Sequence, residues 1–139
     1  MSEMNQSQLL LQKIKAAFRE ITESPTHLNT QEIRVLSAQQ FQSIFNSLKV
    51  QIKGSEYLPY EKGSIFIYNH LDNHPSLVAA DHFQITLDSH YISGLLYKYY
   101  NDPGIRVARH SLASESNHKA SYDRFGYIRV YSKDITPDP

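Results

Sequence analysis

An α/β layer fold is the architecture this sequence predicts: N-terminal helices, then a small, mostly parallel sheet with flanking helices. Three observations point there. Short apolar runs, "SIFIY" (64–68), "IRVA" (105–108) and "YIRVY" (127–131), are dense in β-branched and aromatic residues. Stretches with helical spacing precede and separate them. The 139-residue chain is 40% hydrophobic and 20% charged and has no internal repeat, the profile of a globular domain large enough to bury a core.

Taken in order, residues 1–8 are polar and read as a frayed end. From Leu9, the residues Leu11, Ile14, Phe18 and Ile21 recur at helical spacing, with Lys13, Lys15 and Arg19 off that stripe. Such a basic amphipathic helix suits a membrane interface, but packing on its own domain is the expected outcome. Pro25 closes this segment. Ser37, three residues before Gln40, has capping-box spacing and opens a helix whose apolar face is Phe41, Ile44, Phe45 and Leu48. The chain therefore divides into an N-terminal helical segment, 1–36, and a main domain, 37–139.

Val50 and Ile52 alternate with polar neighbours up to Gly54 and predict a short strand. "SIFIY" is the strongest strand candidate, and its unbroken apolar character suits coverage on both faces. The stretch 69–87 is long for a loop, so it is either functional or holds structure of its own. Asp88 or Ser89 is placed to cap a helix carrying Ile92, Leu95, Leu96 and Tyr99, which Asn101–Gly104 ends. "IRVA" and "YIRVY" are the second and third covered strands.

Lys+Arg and Asp+Glu both number 14, so no strong field draws the chain to nucleic acid. The absence of cysteine excludes disulfides, thiolate catalysis and thiolate zinc sites. No apolar run approaches membrane-spanning length, and the N-terminus lacks the pattern of a secretory signal. The expected location is cytoplasmic, with any membrane contact peripheral, on the inner face.

Chemistry concentrates in "YNHLDNHPS" (68–76). In an extended segment His70, Asp72 and His74 share a face, as ligands of a zinc-like cation do. The pattern is short and no further ligand nominates itself, so metal binding ranks below capping of backbone and exposure to water. His118 and Asp123 in "NHKASYD" form a second candidate pair, and His90 beside Asp88 a third. His27, His82 and His110 are expected on the surface. There is no phosphate loop, no Gly-x-Ser-x-Gly elbow and no His-Glu-x-x-His.

"FNSLKVQIKGSEYLPYEKGSIFIYNH" resembles the start of the catalytic domain of glycerolipid acyltransferases of the lysophosphatidic-acid (1-acylglycerol-3-phosphate) type. Their Val-x-Gly-x-Glu-x-Leu-Pro element, turn, apolar strand and Asn-His are matched by Val50, Ile52, Gly54, Glu56, Leu58-Pro59, Gly63, Ile65–Ile67 and Asn69-His70. "GIRVARHS" is similar to the family's second strand and "RFGYIRVYSKD" to its glycine-led third. The likeness covers residues 44–134. The sequence departs from the family where an Asp should follow His70: Pro75 stands there, and Ala79 stands at the same distance from His74. An insertion that hands the carboxylate role to Asp88 is the favoured reading, with Asp72 and Asp81 as alternatives. "NHKASYD" keeps the family's spacing but lacks the apolar strand before it. The family's Phe-Pro-Glu-Gly block is also missing, so the chain is expected to be the front half of such a domain: a fragment, a truncated product or a divergent relative.

The resemblance implies transfer of a fatty acyl group from acyl-CoA or acyl-carrier protein to a (lyso)glycerophospholipid hydroxyl, in phospholipid biosynthesis. His70 would be the general base and Asp88 its partner, with Asn69 and His74 contacting substrate. No resident cofactor or metal is implied; the acyl thioester is a co-substrate, and the partners are thioester, lysophospholipid and membrane surface. Two other readings stand beside it: a non-catalytic remnant or interaction module of the same fold, and a metal-dependent hydrolase using His70, Asp72 and His74.

Overall fold

The computed structural model describes residues 5–79 and 82–131. In chain order these form α1 (Gln6–Thr22), α2 (Thr30–Asn46), α3 (Leu87–Tyr100), β1 (Val107–Arg109), α4 (Ser116–Phe125) and β2 (Ile128–Val130). The result is a helix-rich mixed α/β arrangement with a two-stranded parallel sheet, Val107 opposite Ile128 and Arg109 opposite Val130. Parallel strands need a crossover, and α4 supplies it.

Both N-terminal helices begin on asparagine capping boxes. Asn5 accepts from the Gln8 N–H while the Gln8 side chain accepts from the Asn5 N–H, so residues 6–8 are helical rather than frayed. Asn29 and Glu32 repeat the exchange and start α2 at Thr30, seven positions before the expected cap. Ser37 is instead a buried mid-helix residue, and positions 36 and 37 both lie inside α2.

The apolar stripe of α1 is spent internally. Ile14, Ala17, Phe18 and Ile21 pack with Ile33, Phe41 and Ile44 of α2 and with Ile85 and Phe125. Each such large side chain removed from water contributes about 1.5–3 kcal/mol, enough to hold an amphipathic helix to its own domain. α3 runs against α2, with Gly94 facing Ala38 and Gln42 across the contact.

Arginines tie the ends together. Arg34 donates to the Phe125 carbonyl (2.6 Å) at the end of α4, and Gly126 caps that end at φ +64°. Arg124 donates to the carbonyls of Ser24, Pro25 and Leu28 in the α1–α2 connection. Among the described residues no helix is long and apolar enough to cross a membrane.

Several expected elements differ. Residues 64–68 form no strand and pair with none among the described residues, and they are not covered: Ile65 is 90% and Ile67 93% exposed, while Phe66 turns inward toward Tyr100. Residues 50–54 likewise form no ladder. β1 and β2 form where expected, yet Val107, Ile128 and Val130 face outward and are exposed. An unbroken apolar run records composition, and coverage depends on elements elsewhere in the chain. The 69–87 stretch carries its own structure: a 3₁₀ turn at Pro75–Leu77, a Val78–Gln84 antiparallel bridge, and Ile85 in the core. Asp81, one of the alternative carboxylates, and the tail after residue 131 lie outside the described residues.

Candidate active site

The site forms where the loop after residue 68 crosses the first turn of α3. Asp88 lies in that turn, where a carboxylate is favoured by the helix dipole. Its Oδ1 accepts from the Ser89 N–H (2.8 Å) and its Oδ2 from the Leu71 N–H (3.0 Å). The same Oδ2 meets Nδ1 of His70. The Asp88 side chain is 7% exposed and the His70 side chain 61%, so a buried carboxylate holds an accessible imidazole.

Burial pushes the Asp88 carboxyl up, but the hydrogen bonds from His70, Leu71 and Ser89 outweigh it and hold the group below its ordinary value. At neutral pH Asp88 is therefore an anion that only accepts. The proton shared with His70 then belongs on Nδ1, which leaves the Nε2 lone pair for chemistry whenever the ring is neutral. One residue before Asn69, the Tyr68 hydroxyl donates to Ser89 Oγ (3.1 Å), giving a second tie between loop and helix.

His70 lies at the edge of two depressions. The larger, about 910 Å³ and mainly apolar, runs between residues 61–68 and 102–109, with Ile92, Leu96 and Tyr100 contributed by α3. The smaller, about 190 Å³, is polar and brings His70 together with His90, Arg106, Arg109 and His118. Arg109 is answered there by a two-pronged ion pair with Glu115, which holds that carboxyl down at about 2. Arg106 donates to His90 Nδ1 (3.1 Å) and Ser93 Oγ (3.3 Å) and lies over the Tyr127 ring at 5.4 Å.

Of the residues singled out from sequence, His70 and Asp88 are brought together. Asn69 is exposed beside them. His74 is exposed and its Nδ1 accepts from the Ser76 N–H (3.2 Å), which opens the 3₁₀ turn. Asp72 is exposed. With one imidazole committed to Asp88 and the other to Ser76, His70, Asp72 and His74 do not converge, and no group of three metal-ligating side chains gathers among the described residues. His118 and Asp123 are not a pair: His118 packs against Phe83 and Tyr122, while Asp123 takes Lys119 (3.2 Å) and Arg129. Both lie on α4, where a five-residue separation points side chains apart.

His90 is buried rather than a partner for Asp88, and burial, with the Arg106 charge, pushes it well below its ordinary value. His110, expected on the surface, is partly buried against Tyr131 with ring centroids 4.5 Å apart. Sequence reading missed Tyr68, Ser89 (considered only as a helix cap, a position that Thr86 takes) and Arg106 as residues of the site. The first two flank the dyad in sequence, at positions 68 and 89, and that adjacency was their only signal. No family model matches the chain, and no curated protein or solved structure matches it either.

Proposed function

We propose that the chain is acyltransferase-like and moves a fatty acyl group from acyl-CoA or acyl-carrier protein to a (lyso)glycerophospholipid hydroxyl. The observation that carries this reading is the His70–Asp88 pair at the rim of an apolar cleft of about 910 Å³. The resemblance of residues 44–134 to the lysophosphatidic-acid acyltransferase family supports it from the sequence side. An acyl chain suits a mainly apolar cleft, and a hydroxyl nucleophile suits an exposed imidazole.

In this reading His70 Nε2 removes the proton from the acceptor hydroxyl, and the oxygen attacks the thioester carbonyl. The tetrahedral adduct collapses to ester and thiolate, and the imidazolium returns its proton to the leaving sulfur. Asp88 stays an anion throughout, holds the ring in the Nδ1–H tautomer and stabilises the imidazolium. Asn69 and the exposed His74 are assigned to substrate contact. The front half of an acyltransferase fold, a role in phospholipid biosynthesis and peripheral contact with the inner membrane face belong to the same proposal. Ile14, Ala17, Phe18 and Ile21 of α1 are committed to the core, so that contact would be made elsewhere on the surface.

The test is thioester-dependent acyl transfer to lysophosphatidic acid by the purified chain. His70→Ala is expected to lower the rate at least about 100-fold with the fold intact. An unchanged rate would overturn the assignment. A second reading, a non-catalytic interaction module, is favoured by the exposure of Ile65, Ile67, Val107 and Ile128 along that same cleft, with Val130 exposed as well. It predicts no turnover by the wild-type chain with either thioester donor.

A further inference from the structure

His70 lies ahead of the 3₁₀ turn of its loop, where the backbone forms no regular element. Residues 69–76 are all exposed, and no ladder supports 63–73 among the described residues. Yet a general base must be held within a few tenths of an ångström and in one tautomer to work. Among the described residues three hydrogen bonds bring loop and helix together. Two of them, from His70 Nδ1 and the Leu71 N–H, converge on one oxygen of Asp88. Both act at or after His70. Before His70 the tie is the Tyr68 hydroxyl on Ser89 Oγ, 3.1 Å.

The two ends of this bond flank the dyad. Tyr68 is two residues before His70 and Ser89 is next to Asp88, so the bond spans the dyad from the opposite side to Leu71. Further back, residue 66 is held by the Phe66–Tyr100 ring contact at 6.0 Å and residue 59 by the Tyr100 hydroxyl on the Pro59 carbonyl. Neither controls the backbone at positions 69 and 70. With the Tyr68 bond gone, His70 hangs from its C-terminal side, and the ring can turn so that Nε2 rather than Nδ1 carries the proton.

We infer that Tyr68 and Ser89 are positioning residues for His70: their hydroxyl–hydroxyl bond fixes the loop so that the imidazole presents Nδ1–H to Asp88 and its Nε2 lone pair outward. This rests on the reading of His70 as a general base but is measured without any substrate.

The experiment is ¹⁵N imidazole NMR at neutral pH on the full chain, with the His70 signals identified by their loss in His70→Gln. Wild-type His70 is expected in the Nδ1–H form. Tyr68→Phe, which keeps the ring and removes only the hydroxyl, and Ser89→Ala should each raise the Nε2–H share to a comparable population. Ser89→Thr, which keeps an acceptor, should restore the wild-type pattern. The double variant should equal either single one, because one bond is removed in all three. Where acyl transfer is measurable, Tyr68→Phe should lower kcat about tenfold with KM unchanged. A wild-type tautomer in Tyr68→Phe overturns the inference. Absence of acyl transfer in the wild type, with the tautomer change present, refutes the acyltransferase reading and leaves the positioning role standing.

Discussion

His90 lies face to face on Phe41, with ring centroids 4.0 Å apart and planes within 8°, and takes a hydrogen bond from Arg106 on Nδ1. Arginine has no acceptor capacity and cannot lose its proton here, so Nδ1 must offer a lone pair and Nε2 carries the hydrogen. A second proton on His90 would break that bond and bury a charge beside another cation.

The consequence for stability has a definite sign. In the unfolded chain His90 takes up a proton below about pH 6.5, while in the native state it resists until a lower pH. The unfolded state then binds more protons, so stability falls as pH drops below about 6.5, by up to about 1.4 kcal/mol per pH unit from this group. Urea unfolding at a series of pH values between 7.5 and 5 should show the slope. His90→Gln, which keeps an acceptor but cannot titrate, should flatten it; an unchanged slope would place the acid sensitivity elsewhere.

Asp88 acts lower on the pH scale. Its native carboxyl titrates below the ordinary value, so its contribution to stability is complete above about pH 4 and is lost as pH falls through the native value. Asp88→Ala leaves the Leu71 and Ser89 N–H groups without their acceptor and should cost about 1–3 kcal/mol in chemical denaturation at neutral pH. Asp88→Asn should cost less, because an amide oxygen still accepts from one of them.

Gly126 carries two constraints that different side chains separate. At φ +64° most other residues are strained, and a Cβ would come within 2.9 Å of Thr30 Cβ. Gly126→Ala should therefore cost at least about 2 kcal/mol. Gly126→Asn meets the same contact but tolerates the left-handed backbone, so it should cost measurably less. Equal losses would assign the whole effect to Thr30.

The outward isoleucines give the opposite expectation. Ile65→Thr and Ile67→Thr should each change stability by no more than about 0.5 kcal/mol, whereas Phe41→Ala, in the fully buried core, should cost about 3–5 kcal/mol. A loss above 1 kcal/mol at position 65 or 67 in thermal unfolding would mean that this segment is covered in solution.

What the sequence made legible was periodic or punctuated. The stripe Ile14, Phe18, Ile21 belongs to a helix, and Asn101, at φ +53°, ends α3 where a stop was expected. The joining of His70 to Asp88 was foreseen as one of several pairings, since both a loop of uncertain course and three carboxylates stood in the way. The start of α2 was misplaced because Ser37–Gln40 has the spacing of a cap, while Asn29–Glu32 makes the bonds. Coverage of 64–68 was not legible, because it depends on which strand comes to lie alongside. α4 escaped notice because its face is built from His118, Tyr122 and Phe125 rather than aliphatic residues.

Arg124 reaches back about a hundred positions to grip the bend between the first two helices. During synthesis that bend must wait, with three carbonyls still served by water, until α4 has left the ribosome. Assembly thus closes late: the helical pair can collapse early on its own apolar contacts, but the corner joining it becomes fixed only when α4 docks.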